Sequence, residues 1–366
     1  MTCPVCGASE VTLAEVDHAF IRETDYTTVK DSCRIGECGV CWALFQCVDA
    51  ADVAVIDEQF EDEAYGNSQQ TGQTVMVEQF GGPVTRSFLQ AEVLRPLIAN
   101  QRPAVLDVGC FDGKLLVELS ARFAEADLHG FDRNAFLRRL FPTKPNFHFW
   151  TGDLATVDGR FDLICLSHSM SYVRDTTGLM NHTSRLLKPE GLVFLQMPDI
   201  AQNPCYLLMA DQFYYYTPDI LRNLFGRFGF EFSPLDNAWF PREIVGFARL
   251  LGRNTLPSRR AYGLAECLAA LEEKARRCRD IAATVDKAAV LGTTGNAAFV
   301  DSVLGERVSR FLEENPNRRD GSFRGKPVNH PRVLCDTDVV MVPYGPAGHR
   351  LGRRLAAQYR GRFIVV

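Results

Sequence analysis

The chain has 366 residues, 46% of them hydrophobic and 23% charged, which excludes disorder, collagen and coiled-coil rods and leaves room for two or three globular domains. Its 40 Lys+Arg against 45 Asp+Glu give a formal charge of -5, so no basic field draws it onto nucleic acid or an anionic membrane. No apolar run approaches the roughly 20 residues that span a bilayer, and the opening Met1-Thr2-Cys3-Pro4-Val5-Cys6 has neither a charged leader nor an apolar segment. A soluble cytoplasmic protein acting on small molecules is expected, as a monomer or homodimer.

Six of the 12 cysteines, Cys3, Cys6, Cys33, Cys38, Cys41 and Cys47, fall near the start of the chain. Cys3-x-x-Cys6 and Cys38-x-x-Cys41 are two knuckles, each able to aim two thiolates at one point, and four thiolates complete a tetrahedral zinc shell. The stretch between the pairs is longer than in a compact ribbon, so the second pair must return by tertiary folding. A closed shell leaves no open position for a substrate, which makes the expected zinc structural. Cys33 and Cys47 are spare candidates. Unliganded buried thiols and a redox dithiol compete with zinc, the latter without the strand-helix surroundings it needs. Scattered cysteines such as Cys110, Cys165 and Cys205 sit among apolar neighbours and are expected to be buried.

Residues 104–109, Ala-Val-Leu-Asp-Val-Gly, form a short apolar run that turns through Cys110-Phe111-Asp112-Gly113 into a helical pattern at Leu115, Leu116 and Leu119. Gly109 and Gly113 let the backbone pass close to a ligand, and the helix start aims N–H groups at it. Residues 128–132 are a second strand ending in Asp132, where a doubly wound fold places the acid that accepts hydrogen bonds from ribose. Residues 147–154 repeat the arrangement, 161–168 give a fourth strand, and 192–197 a fifth after the turn at 186–191. Such alternation specifies a parallel sheet. A nicotinamide dehydrogenase would show a third glycine after Gly109 and Gly113, and Asp107 and Asp112 suit an ammonium better than a diphosphate.

Together the 105–113 segment, Asp132, Gly152-Asp153-Leu154 and Leu187-Lys188-Pro189-Glu190-Gly191 resemble the ordered motifs of class I S-adenosylmethionine-dependent methyltransferases. The resemblance implies that Asp107, Gly109, Cys110, Phe111, Asp112 and Gly113 hold the methionine end of the cofactor, Asp132 the ribose, and Asp153 with Leu154 the adenine. Ser167 and His168 would lie beside the methyl group or the methionine tail.

After residue 248 the pattern changes. Leu264, Leu268, Leu271, Ala275, Cys278, Ala282 and Val285 recur at helical steps and predict one long amphipathic helix. Residues 288–295 restart a strand and glycine turn, and 338–342 and 362–366 are further strands of a second α/β unit. A cysteine module (1–60), a methyltransferase domain (61–248) and a smaller Rossmann-like α/β domain (249–366) resemble the three-part C-methyltransferases of nucleotide-linked deoxysugars. In that family the tail domain helps to hold the nucleotide sugar, which marks Thr293, Thr294, Asn296, Asn317, Arg318 and Arg319 as candidate contacts. A solvated turn is the competing reading for the arginines.

Methylation of carbon or oxygen requires a base. The family usually offers His-Glu-His ahead of Phe and Tyr; here residues 210–218 read Ala-Asp-Gln-Phe-Tyr-Tyr-Tyr-Thr-Pro, with Asp211 at the glutamate and Gln212 at a histidine. An amide cannot accept a proton at working pH. Asp211, Tyr172, Tyr214, Tyr215 and His168 are the candidate substitutes, His168 because imidazole titrates near neutrality. Tyr65 stands where the family often has another active-site tyrosine. The expected activity is S-adenosylmethionine-dependent methyl transfer to a nucleotide-linked sugar, at carbon by preference with nitrogen and oxygen open. A cofactor-binding partner protein without turnover is the reading from another class.

Overall fold

The computed structural model describes residues 1–17, 32–61, 74–236, 239–253, 260–315 and 321–366. Its centre is a seven-stranded sheet. In spatial order the strands are Phe230–Pro234, Glu243–Leu250, Leu187–Pro198, Phe161–Ser167, Ala104–Val108, Asp127–Phe131 and Phe147–Trp150. The last five run parallel, while Glu243–Leu250 is antiparallel to both its neighbours.

The central strands, Ala104–Val108, Phe161–Ser167 and Leu187–Pro198, are mainly apolar and buried because both faces are covered. Alternate residues serve opposite cores: Leu106, Ile164, Leu166, Val193 and Leu195 enter one cluster, and Val105, Leu163, Cys165, Leu192 and Phe194 enter the other. From Ala104–Val108 the chain winds outward through the Lys114–Ser120 helix, then starts again on the other side at Phe161–Ser167. The reversal of winding between these neighbours opens a crevice at their carboxyl ends.

The C-terminal unit repeats this plan in a six-stranded sheet, ordered Ser322–Phe323, Lys326–Asn329, Val308–Leu312, Ala288–Leu291, Val339–Val342 and Arg362–Val365. Its switch point lies between Ala288–Leu291 and Val339–Val342, which run parallel. The expected long helix is Leu264–Ala282, with Leu264, Cys267, Leu271, Ala275, Cys278 and Ala282 buried along one stripe.

A four-stranded antiparallel sheet carries the early cysteines: Val11–Asp17, Ser32–Cys38, Leu44–Gln46 and, from far along the chain, Tyr214–Tyr215. Glu37 from this sheet accepts the Leu264 N–H at 2.9 Å and pairs with Arg260, so a carboxylate sits at the positive end of the long helix. The sheet therefore contacts both larger units. Cys110, Cys165 and Cys205 are buried, as expected. No described helix is long and apolar enough to cross a membrane.

Candidate functional site

The turn after Ala104–Val108 is left-handed at Gly109 (φ 79°), Phe111 (φ 49°) and Gly113 (φ 74°). A Cβ at Gly109 would lie 2.6 Å from Ser169 Cβ, so that position requires glycine. The Gly109 and Cys110 N–H groups donate to Phe131 O at 2.7 and 3.1 Å, which locks the turn to the next strand. Asp132 braces it further, accepting Phe111 N–H through Oδ2 and Asn134 N–H through Oδ1, both at 3.0 Å. Asp107, beneath the turn, is 4% exposed, and its Oδ1 has no hydrogen-bond partner. Burial, then the charges of Asp132 and Asp112, push its carboxyl up to about 7. A buried, unpartnered carboxyl among like charges fits a ligand ammonium, which would relieve all three costs, and opposes a diphosphate.

This turn forms one wall of a cleft of about 780 Å³ at the switch point. The cleft brings together Asp107, Gly109, Cys110, Phe111, Asp112, Asp132, Ser167, His168 and Tyr172. Thr294 and Asn296 enter its lining from the C-terminal unit, whereas Thr293 does not. Gly113, Asp153, Leu154, Asp211 and Tyr214 also lie outside the lining. Gly113 is the N-cap of the Lys114–Ser120 helix. Asp153 is exposed at a strand end and accepts Ala155 N–H at 2.8 Å. Asp211 is buried beside the cleft residue Gln212, whose amide donates to Tyr172 Oη at 3.3 Å. Tyr214 pairs with Phe45 in the cysteine-bearing sheet and donates to Arg174 O at 3.0 Å, and burial pushes its hydroxyl up to about 12. Tyr65, Asn317, Arg318 and Arg319 lie outside the described residues.

Sequence spacing missed the polar cluster opposite the turn. His168 is left-handed (φ 55°), an uncommon conformation for a residue other than glycine, and its N–H donates to Gln196 O at 2.7 Å. Its Nε2 lies 2.7 Å from Arg86 Nη2 and 3.2 Å from Glu243 Oε2, and Arg86 also pairs with Glu243. Gln196 Nε2 donates to Glu243 Oε2 at 2.6 Å, and Gln90 Nε2 donates to Gln196 Oε1 at 2.7 Å and to Ser167 Oγ at 2.6 Å. Burial alone would raise the Glu243 carboxyl, but Arg86 and His168 together hold it well below the usual carboxylate range. Glu243 reaches this edge because its strand runs backwards: its first residue pairs with Pro198, the last residue of the antiparallel neighbour Leu187–Pro198.

The four expected cysteines converge. Cys3, Cys6, Cys38 and Cys41 have all their sulfurs within 4.8 Å of one another, with Cys3 3.5 Å from Cys41 and Cys6 3.6 Å from Cys38. The Cys3–Cys41 contact pushes the Cys3 thiol down against the opposing effect of burial and pushes Cys41 up. Cys33 and Cys47 stand outside this group, Cys47 donating instead to Met1 Sδ at 3.4 Å. A second cluster, Asp127, His129 and His148, is less suited to a metal. Trp150 donates to His129 Nδ1 at 3.1 Å, which leaves the neutral ring its proton on Nε2, facing Asp127 at 3.0 Å.

Five parallel strands, a reversed strand inserted before the last, and a carboxylate-lined glycine turn at the switch point define the fold as that of a class I methyltransferase. Residues 85–234 match a family model described as a methyltransferase domain. Among curated proteins the chain is 30% identical over 139 residues to a trans-aconitate 2-methyltransferase of Enterobacter sp. (strain 638), covering 37% of this chain and 54% of that one. It is also 30% identical over 111 residues to a trans-aconitate 2-methyltransferase of Deinococcus radiodurans, covering 30% and 43%. The chain thus spans about half the length of the curated relatives it matches. Among solved structures the chain is similar to the plantazolicin methyltransferase BpumL, at a TM-score of 0.43 and 14% identity over 54% of this chain and 94% of that one.

Proposed function

We propose that the protein transfers a methyl group from S-adenosylmethionine to a small-molecule acceptor in the cleft, and that the acceptor is a sugar carried on a nucleotide. The observation that carries the cofactor assignment is Asp107, a buried carboxyl without a partner beneath a left-handed glycine turn. In this reading Asp107 holds the ammonium of the cofactor, the Gly109 to Gly113 turn its methionine portion, and Asp132 its ribose. The adenine would extend toward Asp153 and Leu154 at the end of the neighbouring strand. When bound, the cofactor supplies an electrophilic methyl group on sulfonium.

The chain's own residues would orient the acceptor and take its proton. His168, buttressed by Glu243, is the group in the lining best suited to do so. Thr294 and Asn296 reach the cleft from the C-terminal unit, which supports an acceptor long enough to bridge both units, such as a nucleotide sugar. In this arrangement residues 1–60 form a zinc module in which Cys3, Cys6, Cys38 and Cys41 hold a structural ion, 61–248 the catalytic domain, and 249–366 the substrate domain.

Carbon is the acceptor atom in the leading form of this reading. Gln212 favours a second form: its amide binds Tyr172 and takes no proton, and an amine acceptor methylated as the free base would not need one. Calorimetry with S-adenosylmethionine and S-adenosylhomocysteine tests the first step, with micromolar binding expected; absence of binding would remove the assignment. Incubation of nucleotide sugars with methyl-labelled donor, followed by mass spectrometry, then separates carbon from heteroatom products. Binding without any turnover would leave a cofactor-binding partner protein.

A further inference from the structure

Arginine can only donate and the Glu243 carboxylate can only accept, so a neutral His168 Nε2, 2.7 Å from Arg86 Nη2 and 3.2 Å from Glu243 Oε2, serves one of them at a time, and the shorter contact makes it the acceptor from Arg86. A neutral imidazole in that contact carries its proton on Nδ1. His168 lines the cleft with its side chain about a third exposed, and Nδ1 has no protein partner among the described residues. As the structure stands, His168 therefore presents a donor to the cleft, not a base. For Nδ1 to accept a proton, Nε2 must carry one and donate it to Glu243 Oε2, 3.2 Å away, and Arg86, which contacts both Nε2 and Glu243 Oε1, competes for Nε2. Glu243 would keep its place without Arg86, because Gln196 holds its Oε2 at 2.6 Å and Gln90 in turn holds Gln196. Arg86 is anchored less firmly, stacking over Phe240 at 4.9 Å and 26% exposed at the cleft wall.

We propose that Arg86 is the receptor for an anionic group of the acceptor, a carboxylate or a phosphate, and that its withdrawal from His168 switches the histidine from hydrogen-bond donor to base. This rests on the methyltransferase reading and adds to it a substrate class and a positioning residue. Arg86 pairs bidentately with the incoming anion. His168 then moves its proton from Nδ1 to Nε2, through solvent, and Nε2–H donates to Glu243. The bare Nδ1 takes the acceptor's proton as the acceptor gains its methyl group, and the imidazolium returns one proton to water. Coupling the base to the anion keeps the site inactive toward acceptors that lack one.

The test reads the tautomer directly. In the full chain labelled with ¹⁵N-histidine, the His168 resonances, assigned with His168→Gln, are expected to show protonated Nδ1 and bare Nε2 at neutral pH. Titration with trans-aconitate, a tricarboxylate, and separately with inorganic phosphate distinguishes the two anion sources; at least one is expected to move the proton to Nε2, and neutral methyl glucoside is not. Arg86→Gln is expected to show the Nε2-protonated form without any anion and to weaken anion binding at least tenfold, while Arg86→Lys restores part of that binding. A resting His168 already protonated at Nε2, a tautomer unmoved by both anions, or an Arg86→Gln variant with unchanged tautomer and anion affinity would each overturn the proposal. Calorimetry with S-adenosylhomocysteine is run alongside: loss of that binding with an intact switch sinks the methyltransferase reading, and the converse sinks only the switch.

Discussion

Two glycine turns follow the first parallel strand of two mixed sheets, each at its switch point, and they differ in charge and in what fills them. The first, Gly109 to Gly113, opens on the cleft with Asp107, Asp112 and Asp132 around it and one carboxylate oxygen without a partner. The second, Gly292 to Gly295, follows Ala288–Leu291, a strand with no acid, and the Tyr344 hydroxyl lies where a Cβ of Gly292 would stand. Arg242 covers the Tyr344 ring at 4.7 Å. The backbone motif supplies approach and N–H groups in both; the unpartnered carboxylate oxygen of the first is what the proposed cationic amino-acid ligand would answer.

The largest expected effect concerns what keeps both turns on one cleft. The cysteine-bearing sheet contacts the central unit through Tyr214–Tyr215 and the C-terminal unit through Glu37 at the start of Leu264–Ala282. If the four sulfurs hold zinc, the isolated protein should contain about one equivalent. Chelation should then lower the melting temperature by on the order of 10 °C, since structural zinc contributes several kcal/mol of folding energy. A metal-free protein of unchanged stability would leave the cluster as buried thiols.

Asp107→Asn comes next and separates the two turns. It should weaken S-adenosylhomocysteine binding about a hundredfold, the loss of a buried charge pair, whereas Thr294→Val should leave that binding within about twofold. The free protein should respond in the opposite direction. Asp107 titrates near 7 in the folded chain against an ordinary 3.8, so the cost of ionising it is absent below about 4, grows as pH rises, and is complete above about 7. Asp107→Asn should therefore raise the melting temperature more at pH 8 than at pH 5. Donor binding should release a proton near pH 7, visible as a buffer-dependent heat in calorimetry. Equal stability gains at both pH values would place the carboxyl's titration elsewhere.

The parts of this architecture legible in the sequence share a property: the signal is local. Residues 104–113 show strand, turn and acid within ten positions, and strands buried on both faces read as plain apolar runs. Cys38-x-x-Cys41 likewise carries its own geometry. His168 was legible as a candidate, but its cluster with Arg86 and Glu243 was not, because the three meet only through tertiary folding, and Glu243 arrives on a strand whose reversal no spacing rule announces. Tyr214 and Tyr215, candidate bases in the sequence, pair with Phe45 and Leu44 and complete a sheet, a setting that aromatic residues favour and that the run alone did not announce.

The smallest effect tests the second turn alone. Gly292 is left-handed (φ 86°), a conformation that costs a residue with a Cβ about 1–2 kcal/mol. In Gly292→Ala the new Cβ would also collide with the Tyr344 hydroxyl, so the total should exceed that backbone cost. Tyr344→Phe alone should stay within about 0.5 kcal/mol, because the hydroxyl reaches Leu291 O only at 3.5 Å. Combining the two should recover the collision but not the backbone strain, giving a coupling of about 1 kcal/mol in a double-mutant cycle of urea melts. S-adenosylhomocysteine affinity should be the same in all three variants. If Gly292→Ala instead weakens it as Asp107→Asn does, the donor occupies the second turn, and charge is not what separates the two.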